Sequence, residues 1–302
     1  MYKFICLLFC FFIPFSAQAT KEGVKKNYPL TDSPIDVVIV SHPKDKPTID
    51  DCIDGILENC NKVRRVIVVS SERLTNKAEW FNENEFPFNK DSIAKAVGKG
   101  DMKKAKKFFN NTSRGAGWYF QQLLKLYSPF IIPGISPNVL VVDADAIFMN
   151  PVSFLNEKHG GLFCMSPREG KEAYFQHAER LVPGYQRIFP EVYSVCHHML
   201  FQMPILKDLF KTVERYHHKV FWKAFCHCVD LDGKKGASEY EIYYNFALRN
   251  TDQVNIRTLL WTNSGYPEDK IFYQAAGYHF VAFHTYMRGK WNRFIPKPIV
   301  NQ

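Results

Sequence analysis

Apolar and polar positions along the chain follow two rhythms. Short runs of Val, Ile and Leu bounded by turn residues occur at residues 35–41 (IDVVIVS), 63–71 (VRRVIVVSS) and 138–151 (NVLVVDADAIFMNP). Runs of this kind are interior strands. Between the first two, Thr48 is placed to cap a helix reaching about Cys60. The strand, loop, helix, strand order predicts a parallel βαβ unit. Residues 76–112 are polar and rich in Lys and Asn, which predicts loops and short helices. In residues 113–129 (SRGAGWYFQQLLKLYSP), Trp118, Leu123, Leu124, Leu126 and Tyr127 take helical spacing, with a start after Gly115 and a stop before Pro129.

The second half has a longer rhythm. Gly160 to Met165 is a further strand, and the Arg, Glu and aromatic-rich stretch 168–187 is helical. Residues 196–225 predict a strand or loop, then a helix from about Pro204 to Phe221. SEYEIYYNFALRN (238–250) is another helix, with Ser238 as N-cap and Glu241 at the third helical position, an approximate capping box. Residues 254–261 and 278–291 are strand-like in their first halves. With no internal repeat and no low-complexity linker, this is one α/β domain with an α-rich C-terminal half.

The first residues do not belong to that domain. Lys3 is a short basic region, Phe4 to Phe15 an apolar one, and Ala17-Gln18-Ala19 a small-x-small cleavage site. Residues 1–19 therefore read as a signal peptide and 20–302 as the mature chain, in a secreted, periplasmic or lumenal location. An uncleaved signal anchor is the alternative. No other stretch is long and apolar enough for a span, which takes about 20 residues, so no stable membrane span is expected after cleavage. A hydrophobic content of 46% with 26 Phe and 15 Tyr provides for a large core. The net charge of +9 is dispersed apart from a basic run at 99–107, which reads either as a solvated helix face or as attraction to an acidic partner. No nucleic-acid-binding module accompanies it, so nucleic acid is not expected as a partner.

Six of the eight cysteines survive signal cleavage: Cys52, Cys60, Cys164, Cys196, Cys226 and Cys228. An even count in an exported chain permits disulfides, but not a choice of pairing. Cys52 and Cys60 are eight apart on one predicted helix, near two turns and so about 12 Å along its axis, which is too far for a bond. The Cys- and His-rich stretch 196–228 lacks paired CxxC or HxxxH spacing, so core and surface histidines are preferred to a zinc site.

The strand at residues 138–143 raises the question of chemistry, because it ends in Asp143-Ala144-Asp145. In an open α/β sheet, ligands bind outside the carboxyl ends of the strands. Residues i and i+2 of an extended segment point to one side, so the carboxylates converge and raise each other's pKa unless a cation intervenes. Hard oxygens suit Mn²⁺ or Mg²⁺, which commonly bridge carboxylates to phosphate oxygens. A turn-capping Asp143 beside a solvated Asp145 is the plainer reading.

The ordered set of an N-terminal βαβ half, RGAGWYFQQLLKL, VVDADAIF, SEYEIYYNFALR and a late His resembles the GT-A glycosyltransferases. More closely, residues 35–290 are similar to the DUF6492 glycosyltransferase-like group. The resemblance implies a GT-A-like, Rossmann-like mixed sheet flanked by helices. It also implies a metal-dependent transferase that moves a sugar from a nucleotide-sugar donor to a glycan or other hydroxyl acceptor. Asp143 and Asp145 match the pair that holds Mn²⁺ or Mg²⁺ on the donor diphosphate, and His284 matches the late metal-binding histidine. Gly289, Lys290 and Trp291 follow it at an altered spacing. Arg114 corresponds to a cation near the diphosphate, and His42 and Lys44 to nucleotide-contacting loop positions; a solvated role fits all three equally. Glu239 and Glu241 fall in the region that faces donor and acceptor, where a carboxylate would take the acceptor's proton. Glu239 is preferred, since Glu241 has the cap to serve. One of His197 and His198 can face the acceptor while the other is buried.

Two other functions compete. A haloacid-dehalogenase-type phosphohydrolase also ends a strand in DxD, but on its first strand. A catalytically silent, exported glycan-binding or host-interaction protein would keep the fold, with Trp118, Tyr119, Trp261 or Trp291 stacking on sugars or simply filling the core. Two carboxylates held together without a task are costly, which favours the enzyme.

Overall fold

The computed structural model describes residues 25–110, 115–166, 171–232, 236–284 and Met287. β1 (Ile35–Val40) is buried at every position, as a strand covered on both faces must be. α1 (Lys46–Asn59) returns the chain to β2 (Val63–Ser70), which pairs in parallel with β1. Thr48 does not cap α1, which begins two residues earlier. A 3₁₀ turn at Pro43–Asp45 leads into it, with the His42 ring accepting from Lys44 N and Asp45 Oδ2 accepting from His42 N. Thr48 Oγ1 instead donates to Asp45 O.

The polar stretch contains β3 (Glu79–Asn82), α2 (Lys90–Val97) and α3 (Met102–Asn110). β3 adds an edge strand parallel to β2 that the polar sequence conceals. α3 carries most of the basic run on its solvated face and buries Ala105 and Phe108. α4 (Gly115–Ile131) runs past Pro129 rather than stopping before it. A proline in the last turn removes one backbone donor, and edge-on and tilted packing of Tyr127 and Phe130 against Phe210 carries the helix two residues further.

β4 (Asn138–Asp143), β5 (Ala146–Phe148), β6 (Leu162–Cys164), α5 (Glu172–Leu181) and β7 (His198–Gln202) follow. The single helix expected from Pro204 to Phe221 is two helices, α6 (Met203–His217) and α7 (Phe221–His227), separated where His218 takes a left-handed φ of 52°. α8 (Glu239–Asn250) has Ser238 as its cap. The capping box is only half made: Ser238 Oγ accepts from Glu241 N, but Glu241 sends its carboxylate elsewhere. β8 (Asn255–Arg257), β9 (Trp261–Ser264), α9 (Lys270–Ala275) and β10 (Phe280–Phe283) complete the order.

The main sheet has the order β3-β2-β1-β4-β7, parallel except for β7. Successive side chains alternate between two cores. Val38, Val40, Val139 and Val141 face α4, α6, α7 and α8, while Val37, Ile39, Leu140 and Val142 face Ile49, Ile53 and Ile56 of α1. A second sheet, β5-β10-β9, continues from the end of β4, and β6 pairs with β8. α1 lies so close to β5 that a Cβ on Gly55 would come within 2.5 Å of Phe148 O. At the amino edge of the main sheet the buried Asp36 is fully committed: Arg64, Arg65 and Ser136 N all donate to it.

The six cysteines among the described residues are buried free thiols, and Cys52 and Cys60 do not pair. No helix among the described residues is long and apolar enough to cross a membrane. The expected signal peptide, Arg114, and Gly289 to Trp291 lie outside the described residues.

His177 on α5 is fully buried and donates Nε2–H to Phe225 O at 2.9 Å. Burial pushes its pKa from 6.5 down to about 4. The fold therefore holds the neutral ring, and the stability this contributes is present above about pH 6.5 and lost as pH falls through 4. Between pH 7 and pH 5 the wild type is expected to lose on the order of 2 kcal/mol more unfolding free energy than His177→Gln, read from denaturant midpoints at both pH values.

Candidate active site

β1 and β4 run in parallel with Val40 level with Asp143, so both end on the same sheet edge. β7 runs antiparallel with His198 opposite Val142, so it starts where β4 stops. This register delivers His197 to the first aspartate. Asp143 N donates to His197 O at 2.8 Å, and His197 Nδ1 lies 3.1 Å from Asp143 Oδ2. His197 makes the turn with a left-handed φ of 60°, a conformation that costs a non-glycine residue on the order of 1 kcal/mol. β10 arrives from the second sheet: Phe283 N donates to Asp145 O, and His284 Nδ1 is 2.8 Å from Asp145 Oδ2.

Asp143, Asp145 and His197 each present a ligand atom, all within 4.8 Å of one another. The rings of His197 and His284 are 5.0 Å apart, so His284 borders the same point. The Asp pair thus converges, through the turn that follows β4 rather than along an extended strand. His197 Nε2 is 3.1 Å from Asn263 Oδ1, and the Trp261 ring stands edge-on to the imidazole at 5.3 Å. With Asn263 Oδ1 taking the Nε2 proton, Nδ1 faces the Asp143 carboxylate, and a shared cation, proton or metal, reconciles the two.

Behind the edge sits Lys125, on α4 and only 3% exposed. Its Nζ is 2.5 Å from Asp143 Oδ1, 2.6 Å from Glu239 Oε1 and 3.1 Å from the Tyr240 hydroxyl, which in turn donates to Asp143 Oδ1. Three ammonium protons meet three acceptors. Burial works against the charge on Lys125, yet Asp143 and Glu239 hold its pKa well above the usual value. Burial likewise opposes ionisation of Asp143, and Lys125 and His197 overcome it, keeping the carboxyl far below its usual range. Glu239 is different: burial, with Asp143 beside it, raises its pKa against the pull of Lys125. Asp45, in the turn after β1, is raised first by burial and further by the nearby charge of Asp145. Asp45, Asp143, Asp145 and Glu239 outnumber the ammoniums of Lys44 and Lys125, so the edge attracts cations.

Other residues singled out from the sequence are distributed as follows. Glu239 joins the cluster through Lys125 but is sealed, with 1% exposure. Glu241 points away from the edge and accepts from Ser194 N at 2.9 Å. Exposed His42 and Lys44 lie in the turn after β1, on the same edge. His198 faces the other way, boxed by Phe148, Phe154 and Phe280. Trp118 donates to Ala237 O and stacks on Tyr174, and Tyr119 is core. Sequence reasoning missed Lys125, Tyr240 and Asn263, and did not give His197 a ligand role. No signal in the sequence marks Lys125: Leu124 and Leu126 flank it, but Gln121, Gln122 and Ser128, which share its helix face, are polar.

Parallel strands ending in an Asp-x-Asp turn, met there by an antiparallel strand and a late histidine, define a glycosyltransferase-like fold of the GT-A type. The chain belongs to the family of unknown function DUF6492, whose profile matches residues 52–268. Among solved structures it is similar to the mannosyltransferase Ktr4p from S. cerevisiae, at 11% identity and a TM-score of 0.50 over 79% of this chain and 74% of that one. It also aligns with an active-site mutant of LgtC at 12% identity and a TM-score of 0.40, over 78% of this chain and 77% of that one. At these identities the Ktr4p likeness speaks for the fold and not for the reaction. No curated protein matches the chain.

Lys125→Met is expected to lower unfolding free energy by about 3–5 kcal/mol, because it strands Asp143 and Glu239 without a counter-charge. Adding Glu239→Gln should recover part of that loss. A double-mutant cycle on chemical denaturation at neutral pH measures both, and additivity of the two changes would refute the coupling.

Proposed function

We propose that the chain is a metal-dependent glycosyltransferase that moves a sugar from a nucleotide-sugar donor to a glycan or other hydroxyl acceptor. The observation that carries this reading is the convergence of Asp143, Asp145 and His197, bordered by His284, at the carboxyl edge of the parallel strands. The donor set suits a divalent cation: two carboxylates and an imidazole, with Asp143 kept ionised and the surroundings acidic. Mn²⁺ accepts such mixed oxygen and nitrogen ligands more readily than Mg²⁺, which keeps to oxygen. When bound, the cation would neutralise the charge of the departing nucleoside diphosphate.

The remaining roles fall to the chain itself. Lys125 and Tyr240 both bond Asp143 Oδ1 and so fix the orientation of that carboxylate. Asn263 sets the ring of His197, as outer partners commonly do for ligating histidines. Exposed His42 and Lys44, on the same edge, are placed to meet the nucleotide. Glu239, ion-paired and sealed behind Asp143, holds charge balance in this structure. In this reading residues 20–302 form one domain, delivered by the first 19 residues to a lumenal or external compartment where donor is supplied.

Isothermal titration of the purified chain with UDP and with GDP, each with and without Mn²⁺, tests the proposal. Asp145→Asn is the informative variant, because Asp145 is not tied to Lys125. Metal-dependent binding of one nucleotide is expected, weakened about a hundredfold or more in the variant, since loss of a direct ligand should exceed the effect of outer partners. Folded wild type that binds neither nucleotide in the presence of Mn²⁺ would turn the reading towards the silent glycan-binding protein.

A further inference from the structure

Cys164 Sγ, which donates to Met165 O at 3.7 Å, lies against the Cys196 side chain, and both are buried, at 2% and 0% exposure. Backbone register brings them together. Ser166 and Tyr193 form an antiparallel bridge, with Ser166 N donating to Tyr193 O and Tyr193 N to Ser166 O. Two residues back along one strand of the bridge is Cys164, and three residues on along the other is Cys196. On the opposite side β8 pairs with β6 so that Arg257 is the direct partner of Cys164. The Arg257 guanidinium lies over the Phe154 ring at 5.2 Å, and its Nε and Nη2 are buried without a hydrogen-bond acceptor.

A buried cation with unused donors beside a thiol favours the thiolate, the form that attacks disulfides. The lowered pKa of Cys164 agrees: its hydrogen bond with Cys196 is the main cause, burial opposes it, and Arg257 contributes. Arg257 also acts on Cys60, and Arg180 and Lys99 on Cys228, but there burial outweighs the cation. Cys52 donates to Asp143 O, and burial raises Cys60, Cys226 and Cys228.

We propose that Cys164 and Cys196 are a redox-active pair that closes to a disulfide, stapling β6 to the segment carrying His197. When local opening of this segment exposes the pair, the Cys164 thiolate attacks a small-molecule disulfide such as oxidised glutathione, forming a mixed disulfide and expelling one thiolate. The Cys196 sulfur then attacks Cys164 Sγ, forms the protein disulfide and expels the second. Two protein thiols are oxidised, one oxidant disulfide becomes two thiols, and the protein's protons leave with them. The bond would sit one residue from His197 and restrain the ligand's left-handed turn. This inference rests on thiol geometry and is independent of the donor or acceptor.

The test is to incubate or refold the purified chain with oxidised glutathione, alkylate the free thiols under denaturing conditions and map the peptides without reduction. A Cys164–Cys196 crosslinked peptide, with the other four mature-chain cysteines alkylated, is expected. Closing a loop of 32 positions (196 minus 164) should raise the melting temperature of the oxidised protein over the reduced by roughly 5–10 °C. Cys196→Ser should abolish both effects, and Arg257→Met should slow the oxidation. Alkylation of all six thiols, a glutathione adduct alone, or Cys60 in place of Cys196 would overturn the proposal. Should the serine variant fail to fold, the wild-type map decides by itself.

Discussion

Lys125 places a full positive charge in the interior, on a helix whose neighbouring side chains are apolar, and the carboxyl edge of the sheet is arranged around neutralising it. An ammonium in that position is tolerable only with carboxylates in direct contact. Asp143 from β4 and Glu239 from α8 supply them. The bonds therefore do two things. They tie α4, β4 and α8 into one unit, and they hold Asp143 ionised with one oxygen committed inwards, which leaves the other turned towards His197.

Strand register does the remaining assembly. Because β7 is antiparallel, its first residues fall beside the last of β4, and a short change of backbone hand at His197 turns the imidazole to the carboxylate. Because β10 pairs with β5 directly after the Asp turn, His284 comes to lie beside Asp145. The opposite sheet edge makes a useful contrast. There Asp36 is buried and saturated by Arg64, Arg65 and Ser136 N, so it is a structural anchor with no capacity left. Asp145 bonds His284 through one carboxylate oxygen and is not saturated in this way, which suits the ligand role proposed for it.

Much of this was legible in the residues. Uninterrupted Val and Ile runs announced strands buried on both faces, and Asp143-Ala144-Asp145 at the end of one marked the edge where chemistry sits. Local rules failed where tertiary packing outvoted them. Pro129 did not stop α4 because tilted packing of Phe130 on Phe210 holds the next turn. Glu241 fits a capping-box pattern, yet a partner distant in sequence, Ser194 N, takes its carboxylate. His197 and His198 are chemically identical neighbours, and only the pairing of β7 with β4 sends one to the aspartates and the other among phenylalanines. Lys125 shares a helix face with the polar Gln121, Gln122 and Ser128, so its burial was not legible, and nothing nearby in the sequence names Asp143 and Glu239 as its partners.

The site residues come from far apart along the chain: Asp143 and His197 are separated by 54 positions, His197 and Asn263 by 66, Asp145 and His284 by 139. Contacts of such long range close late, after the chain entropy of the intervening loops has been lost. If it binds a metal as proposed, the Asp143, Asp145 and His197 cluster is thus a coincidence detector for completed folding. A nascent or partly unfolded chain has no pocket for a cation, and any cation that binds the assembled cluster draws the whole population towards the native state by mass action. Availability of the ion would then govern how much folded protein accumulates, apart from any part it plays in turnover.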